Sequence, residues 1–157
     1  MSVPSLSDRL HISGMDANAA SLAKQYHCGY EITDFSYAPN LERPEAFSAA
    51  LESLSGLKRL WLHGPFAELI PCAIDPNVRA NALVRFRQTV VIAQQLGIRQ
   101  LVFHGGFIPY VYYPEWYVAQ SISFWREFLQ TGPPDYTIVL ENVMEPGPDM
   151  LIAIAEG

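Results

Sequence analysis

The chain has 157 residues, half of them hydrophobic and 17% charged, which is enough apolar material for one buried core and too little charge for a disordered protein. A net charge of −6 and ten scattered Lys and Arg residues exclude an extended phosphate-binding surface, so nucleic acid is a poor candidate partner. No segment reaches the roughly 18 apolar residues of a membrane-crossing helix, and the N-terminus lacks a basic stretch followed by an apolar run, so a soluble, cytoplasmic protein is expected.

In chain order, short runs of β-branched and bulky apolar residues alternate with longer segments of helical periodicity. That alternation predicts βα repeats on a parallel sheet. A strand is expected over 9–13 and a helix over about 16–26, then a strand over 29–33 and a helix over 44–54. A third strand, 58–63, leads to a long helix over 77–96, with Asp75 suited to cap its start and Gly97 its end. The fourth strand spans 100–104, and its helix spans 114–129, with Pro114 in the first turn and Gly132-Pro133-Pro134 closing the unit. A fifth strand covers 137–142, and a last helix begins near Pro148. No linker divides the chain, so residues 1–157 read as one domain of five βα units.

Side chains alternate between the two faces of a strand, so each strand splits by parity. Leu10 and Ile12, Leu60 and Leu62, Leu101 and Phe103, and Ile138 and Leu140 form apolar sets suited to packing beneath helices. The opposite face carries Arg9, His11 and Ser13, then Glu31 and Thr33, Arg59, Trp61 and His63, Gln100, Val102 and His104, and Thr137, Val139 and Glu141. Buried charges must be paired or bound to metal to offset desolvation. Arg9, Glu31 and Arg59 are therefore expected to form an ion-pair network low on this face. His63, His104 and Glu141 are expected to share one level at the C-terminal rim, where α/β barrels place their active sites.

Each of these three residues ends a strand and precedes a turn, in Leu62-His63-Gly64-Pro65, Phe103-His104-Gly105-Gly106 and Leu140-Glu141-Asn142. Two imidazoles and a carboxylate suit Zn²⁺, Mn²⁺ or a similar divalent ion and leave positions open for water or substrate. A single histidine would read more readily as a core or loop residue. Three ligands in register favour a metal site.

The segments Leu62-His63-Gly64-Pro65-Phe66, Val102-Phe103-His104-Gly105-Gly106 and Val139-Leu140-Glu141-Asn142-Val143 resemble strands three, four and five of the xylose-isomerase-like TIM barrels. The resemblance extends to Asp75-Pro76-Asn77-Val78-Arg79 and Gly29-Tyr30-Glu31-Ile32. It implies metal binding by His63, His104 and Glu141, and a part for Glu141 in proton transfer. The implied activity is that of a sugar or sugar phosphate isomerase or epimerase using Zn, Mn or Mg. An endonuclease-IV-like phosphodiesterase and a non-catalytic metal-binding or assembly module are the alternatives. A family barrel has eight units, so a fragment of a longer chain or a homo-oligomer is expected.

The aromatic stretch 107–117 could wall the site or make an interface, and the sequence does not separate the two. Arg79 could hold an anion near the mouth, while Asp75 is expected simply to cap its helix. His11 is expected to be structural and His27 to complement a helix dipole. Cys28 and Cys72 lack metal-ligand spacing and are expected as reduced thiols without a role.

Overall fold

A computed structural model describes residues 5–131 and 135–157. Five strands, β1 (His11–Ser13), β2 (Gly29–Ile32), β3 (Leu60–His63), β4 (Gln100–His104) and β5 (Thr137–Glu141), form one sheet in sequence order. Every neighbouring pair is parallel. The helices are α1 (Leu6–Arg9), α2 (Ala19–Gln25), α3 (Ser48–Ser53), α4 (Pro76–Leu96), α5 (Pro114–Thr131) and α6 (Asp149–Glu156). The order β-α, five times over, is the expected incomplete TIM-barrel pattern. The predicted Gly132-Pro133-Pro134 stop lies outside the described residues.

Helix α4 starts where the Asp75 carboxylate accepts the Asn77 N–H at 2.8 Å, and it ends at Gly97 with φ of 68°. Its buried face meets β4 and α5 through a ring cluster: Phe86 stacks on Phe103 at 4.2 Å, and Phe124, Trp125 and Phe128 pack around them. Removing one such ring would cost about 3 to 5 kcal/mol. Leu62, Leu101 and Phe103 are fully buried on the outward face, as parity predicts. Among the described residues, no helix is long and apolar enough to cross a membrane.

Four expectations need correction. Arg9 is not in a strand: the Asp8 carboxylate accepts the Ser5 N–H at 3.0 Å and the Ser5 hydroxyl at 2.7 Å, which folds 6–9 into a helical turn. Leu10 consequently lies exposed rather than beneath a helix. Arg9, Glu31 and Arg59 form no network, because the Arg59 guanidinium is taken by Asp8 at 3.0 Å and by the carbonyls of Ser7 and His27 at 2.8 and 2.7 Å. The continuous helix expected over 44–54 is a 3₁₀ turn, Pro44–Phe47, followed by the short α3. Pro44 supplies no N–H, and the Ala46 N–H donates to the Arg43 carbonyl three residues back, which tightens the turn.

Candidate metal centre

Register carries the three candidate ligands to one end of the sheet. His104 on β4 lies opposite Glu141 on β5, while His63 on β3 lies opposite Val102, one pleat lower than expected. A two-residue slip between parallel strands preserves side-chain parity and gives the slope by which barrels close. His63 therefore reaches the same place from below rather than from the same level.

The three side chains meet on one atom. Glu141 Oε2 lies 3.1 Å from His63 Nε2 and 3.0 Å from His104 Nε2, and the three ligand atoms all fall within 4.8 Å of one another. Donors bound tetrahedrally at about 2.1 Å from one ion stand roughly 3.4 Å apart, so the spacing fits a divalent cation. The hydrogen bonding of His63 points the same way. Its Nδ1–H donates to the Gly64 carbonyl at 2.6 Å, which leaves Nε2 as the ring nitrogen that faces the Glu141 carboxylate. Two such atoms facing each other need a proton or a cation between them. The donor set present fits the group that the family resemblance implies.

The surroundings reinforce ligand character. His63 is buried, whereas Glu141 is about half exposed and opens the centre to solvent. Burial first, and the neighbouring His63 second, hold His104 below the usual imidazole range, favouring the neutral form that binds metal. Glu31, inward on β2, is pushed up by its own burial, drawn down by His63 and pushed up again by Glu141. The Phe66 ring stacks on His104 at 4.3 Å. Beside His104, a cavity of about 380 Å³ is walled by Phe66, Ile70, Phe107, Ile108, Val143 and Met144.

Other predicted residues fall elsewhere. Arg79 does not reach the mouth: it binds Glu127 at 2.7 Å and sits over the Phe124 ring, joining α4 to α5. Asp75 caps, as expected. His11 stacks on Trp61 at 4.2 Å near the opposite end of the strands, a packing position. His27 adopts φ of 54° just past α2 and gives its carbonyl to Arg59. Cys28 and Cys72 are both free thiols. The aromatic stretch divides: Phe107 and Tyr117 are buried with rings 5.0 Å apart, while Tyr110 and Tyr113 stand in solvent. Glu145 was not anticipated; a lone acid among Gly and Pro reads as surface, and nothing in its local pattern marks its burial.

Parallel βα units with candidate metal ligands at the C-terminal ends of consecutive strands match the way TIM-barrel-type proteins place their sites. Residues 21–156 match the family described as xylose isomerase-like TIM barrel, and the chain belongs to that family. Among solved structures it is similar to the TTHB071 protein of Thermus thermophilus, whose crystals were soaked with ZnCl₂. There the identity is 27% and the TM-score 0.67, with 94% of this chain and 60% of that one covered. A D-tagatose 3-epimerase-like protein gives 19% identity and a TM-score of 0.65, covering 93% of this chain and 59% of that one. A xylose isomerase domain protein from Planctomyces limnophilus gives 15% identity and 0.55, covering 93% and 57%. The chain thus spans about 60% of the length of its solved relatives. No curated protein sequence matches it.

Proposed function

We propose that this chain carries the metal-binding part of a sugar or sugar phosphate isomerase or epimerase, with His63, His104 and Glu141 holding one divalent ion, Zn²⁺, Mn²⁺ or Mg²⁺. The observation that carries the reading is the shared Oε2 of Glu141, 3.1 and 3.0 Å from two imidazole Nε2 atoms at the rim of a parallel sheet. The relative soaked with ZnCl₂ and the epimerase-like relative support it by family likeness.

A bound divalent ion supplies Lewis acidity, drawing electron density from a substrate carbonyl or hydroxyl so that an adjacent C–H becomes more acidic. The chain's own residues prepare that step. His63 is fixed by the Gly64 carbonyl, so one ligand stays in place whether or not substrate is present. Glu141, half exposed beside His104, can take a proton from one carbon and return it to its neighbour. The apolar walls formed by Phe66, Phe107 and Ile108 cover the C–H face of a sugar and keep water from that proton. The reading carries with it a cytoplasmic setting, reduced thiols, and a homo-oligomer or a longer chain around the open sheet.

The test combines calorimetric titration with Zn²⁺, Mn²⁺ and Mg²⁺ and NMR detection of carbon-bound hydrogen exchange into D₂O for a panel of ketoses, aldoses and their phosphates. Near-stoichiometric metal together with metal-dependent exchange on one substrate is the expected result. Stoichiometric metal with no exchange on any substrate would retire the enzyme in favour of a metal-binding module. No uptake of any of the three ions would remove the site itself.

A further inference from the structure

A second polar cluster lies behind the metal centre and shares none of its ligands. Glu145, in the loop between β5 and α6, is a buried carboxylate, only 8% exposed. Its Oε1 accepts the hydroxyl of the fully buried Tyr117 on α5 at 2.5 Å, and its Oε2 accepts the backbone N–H groups of Val143 and Met144, both at 3.1 Å. One carboxylate thus gathers three donors from two elements. Burial first, and then the bond to Glu145, raise the Tyr117 hydroxyl far above the usual phenol range, so it remains a donor at any working pH.

The placement of the cluster gives it a consequence. Val143 and Met144 follow the ligand Glu141 by two and three residues, so fixing their N–H groups fixes the exit of β5. On the neighbouring strand, Gly105 directly follows the ligand His104, and a Cβ there would overlap the Tyr117 hydroxyl and crowd Glu145 Oε1. The tyrosine and carboxylate therefore press against the exit of β4 while hydrogen-bonding that of β5. A Cβ at the next residue, Gly106, would crowd Pro71 and Ile70. The β4 exit is wedged, and the wedge is closed only while Tyr117 and Glu145 stay joined.

We infer that Tyr117 and Glu145 are positioning residues that set divalent-metal affinity by locking together the strand exits bearing His104 and Glu141. Neither side chain is itself a ligand. The inference rests on the metal reading above, and groups that hold ligands in place are typically worth about 10- to 100-fold in metal affinity.

The experiment measures Zn²⁺ Kd by competition with a chromophoric chelator on the full chain and on Y117F, E145A and E145Q. Metal-free melting temperature is followed by circular dichroism. Y117F keeps the ring and loses only the bond, and it is expected to weaken Zn²⁺ binding about tenfold while the metal-free protein stays folded. E145A should weaken it more. E145Q, whose amide can still accept from the two backbone N–H groups and donate to the Tyr117 oxygen, should restore most of what E145A loses. Three results would overturn the inference: Y117F and E145A within twofold of wild type, E145Q as weak as E145A, or a fall in melting temperature with Kd unchanged. Wild-type protein that binds no Zn²⁺ would sink the metal reading alone. The clasp is then judged by the ¹⁵N-edited imidazole resonances of metal-free His104, which shift in Y117F if the tyrosine positions that strand exit and stay put if it does not.

Discussion

The inward face of the sheet carries polar residues at both ends, and the two ends treat them in opposite ways. At the N-terminal end every prominent polar group is consumed by packing. Arg59 directs its donors to Asp8 and two backbone carbonyls, and His11 lies flat on Trp61 with Nε2 buried and without a hydrogen-bond partner. At the C-terminal rim the groups are aimed at one another: two imidazole nitrogens converge on a single carboxylate oxygen that is half open to solvent. Polarity of a strand face therefore does not by itself mark a site. What separates the ends is that rim lone pairs point into a common space, whereas the groups below end on hydrogen-bond partners or ring faces.

The largest test of this contrast is metal affinity. H63A, H104A and E141A are each expected to weaken Zn²⁺ binding on the order of 100-fold or more, while the metal-free fold persists, because the apolar core lies on the opposite face of the sheet. A substitution at the other end, H11F, should leave Kd within about twofold, since His11 makes no contact with the cluster. Equal effects at both ends in the chelator competition would erase the distinction. The next largest effect is on stability and has the opposite geography. A Cβ at Gly29 would overlap the His11 ring, and the Gly29 N–H donates to the Leu10 carbonyl beside β1 at 2.8 Å, so the backbone cannot move aside cheaply. G29A should lower stability by roughly 2 to 3 kcal/mol in urea melts without moving the Kd of what remains folded. A stable G29A protein would mean the His11–Trp61 stack is looser than drawn.

The rim was the more legible end from sequence, for a physical reason. Parity along a strand depends only on the pleat, so the inward placement of His63, His104 and Glu141 follows from their positions, and a two-residue slip of register does not change it. Register itself is set between strands, which is why His63 sits one pleat lower than its position in the strand suggested. The lower end was misread because a local signal won: Ser5 and Asp8 satisfy each other in one helical turn, and Arg9 leaves the face with it. The Pro44–Phe47 turn escaped for the same kind of reason, since apolar spacing alone does not distinguish a 3₁₀ turn from the start of an α-helix. Glu145 was illegible altogether. Its burial depends on Tyr117, 28 residues away, and no periodicity links a helix position to a loop carboxylate.

The smallest expected effect bears on why His11 is tolerated where it is. Burial first, and the Arg59 charge second, push its pKa below the ordinary value. The folded protein thus holds this ring neutral, while in the unfolded chain it takes up a proton below roughly pH 6.5. A depressed folded pKa gives stability that is fully present above that pH and is lost as pH falls through the folded value. H11F keeps an aromatic ring against Trp61 and removes both the titration and the buried Nε2 that lacks a partner. It should therefore raise stability at neutral pH by about 1 kcal/mol or leave it unchanged. Below pH 6 the gain should widen, because only the wild type must hold a ring neutral there against protonation. His104 is depressed by burial as well, so H11F flattens the acid side of the stability profile without abolishing its slope. Urea melts of the metal-free proteins from pH 5 to 8 read this directly. A profile for H11F parallel to wild type would show that the lower histidine titrates freely, and the two ends of the face would then differ in protonation as well as in geometry.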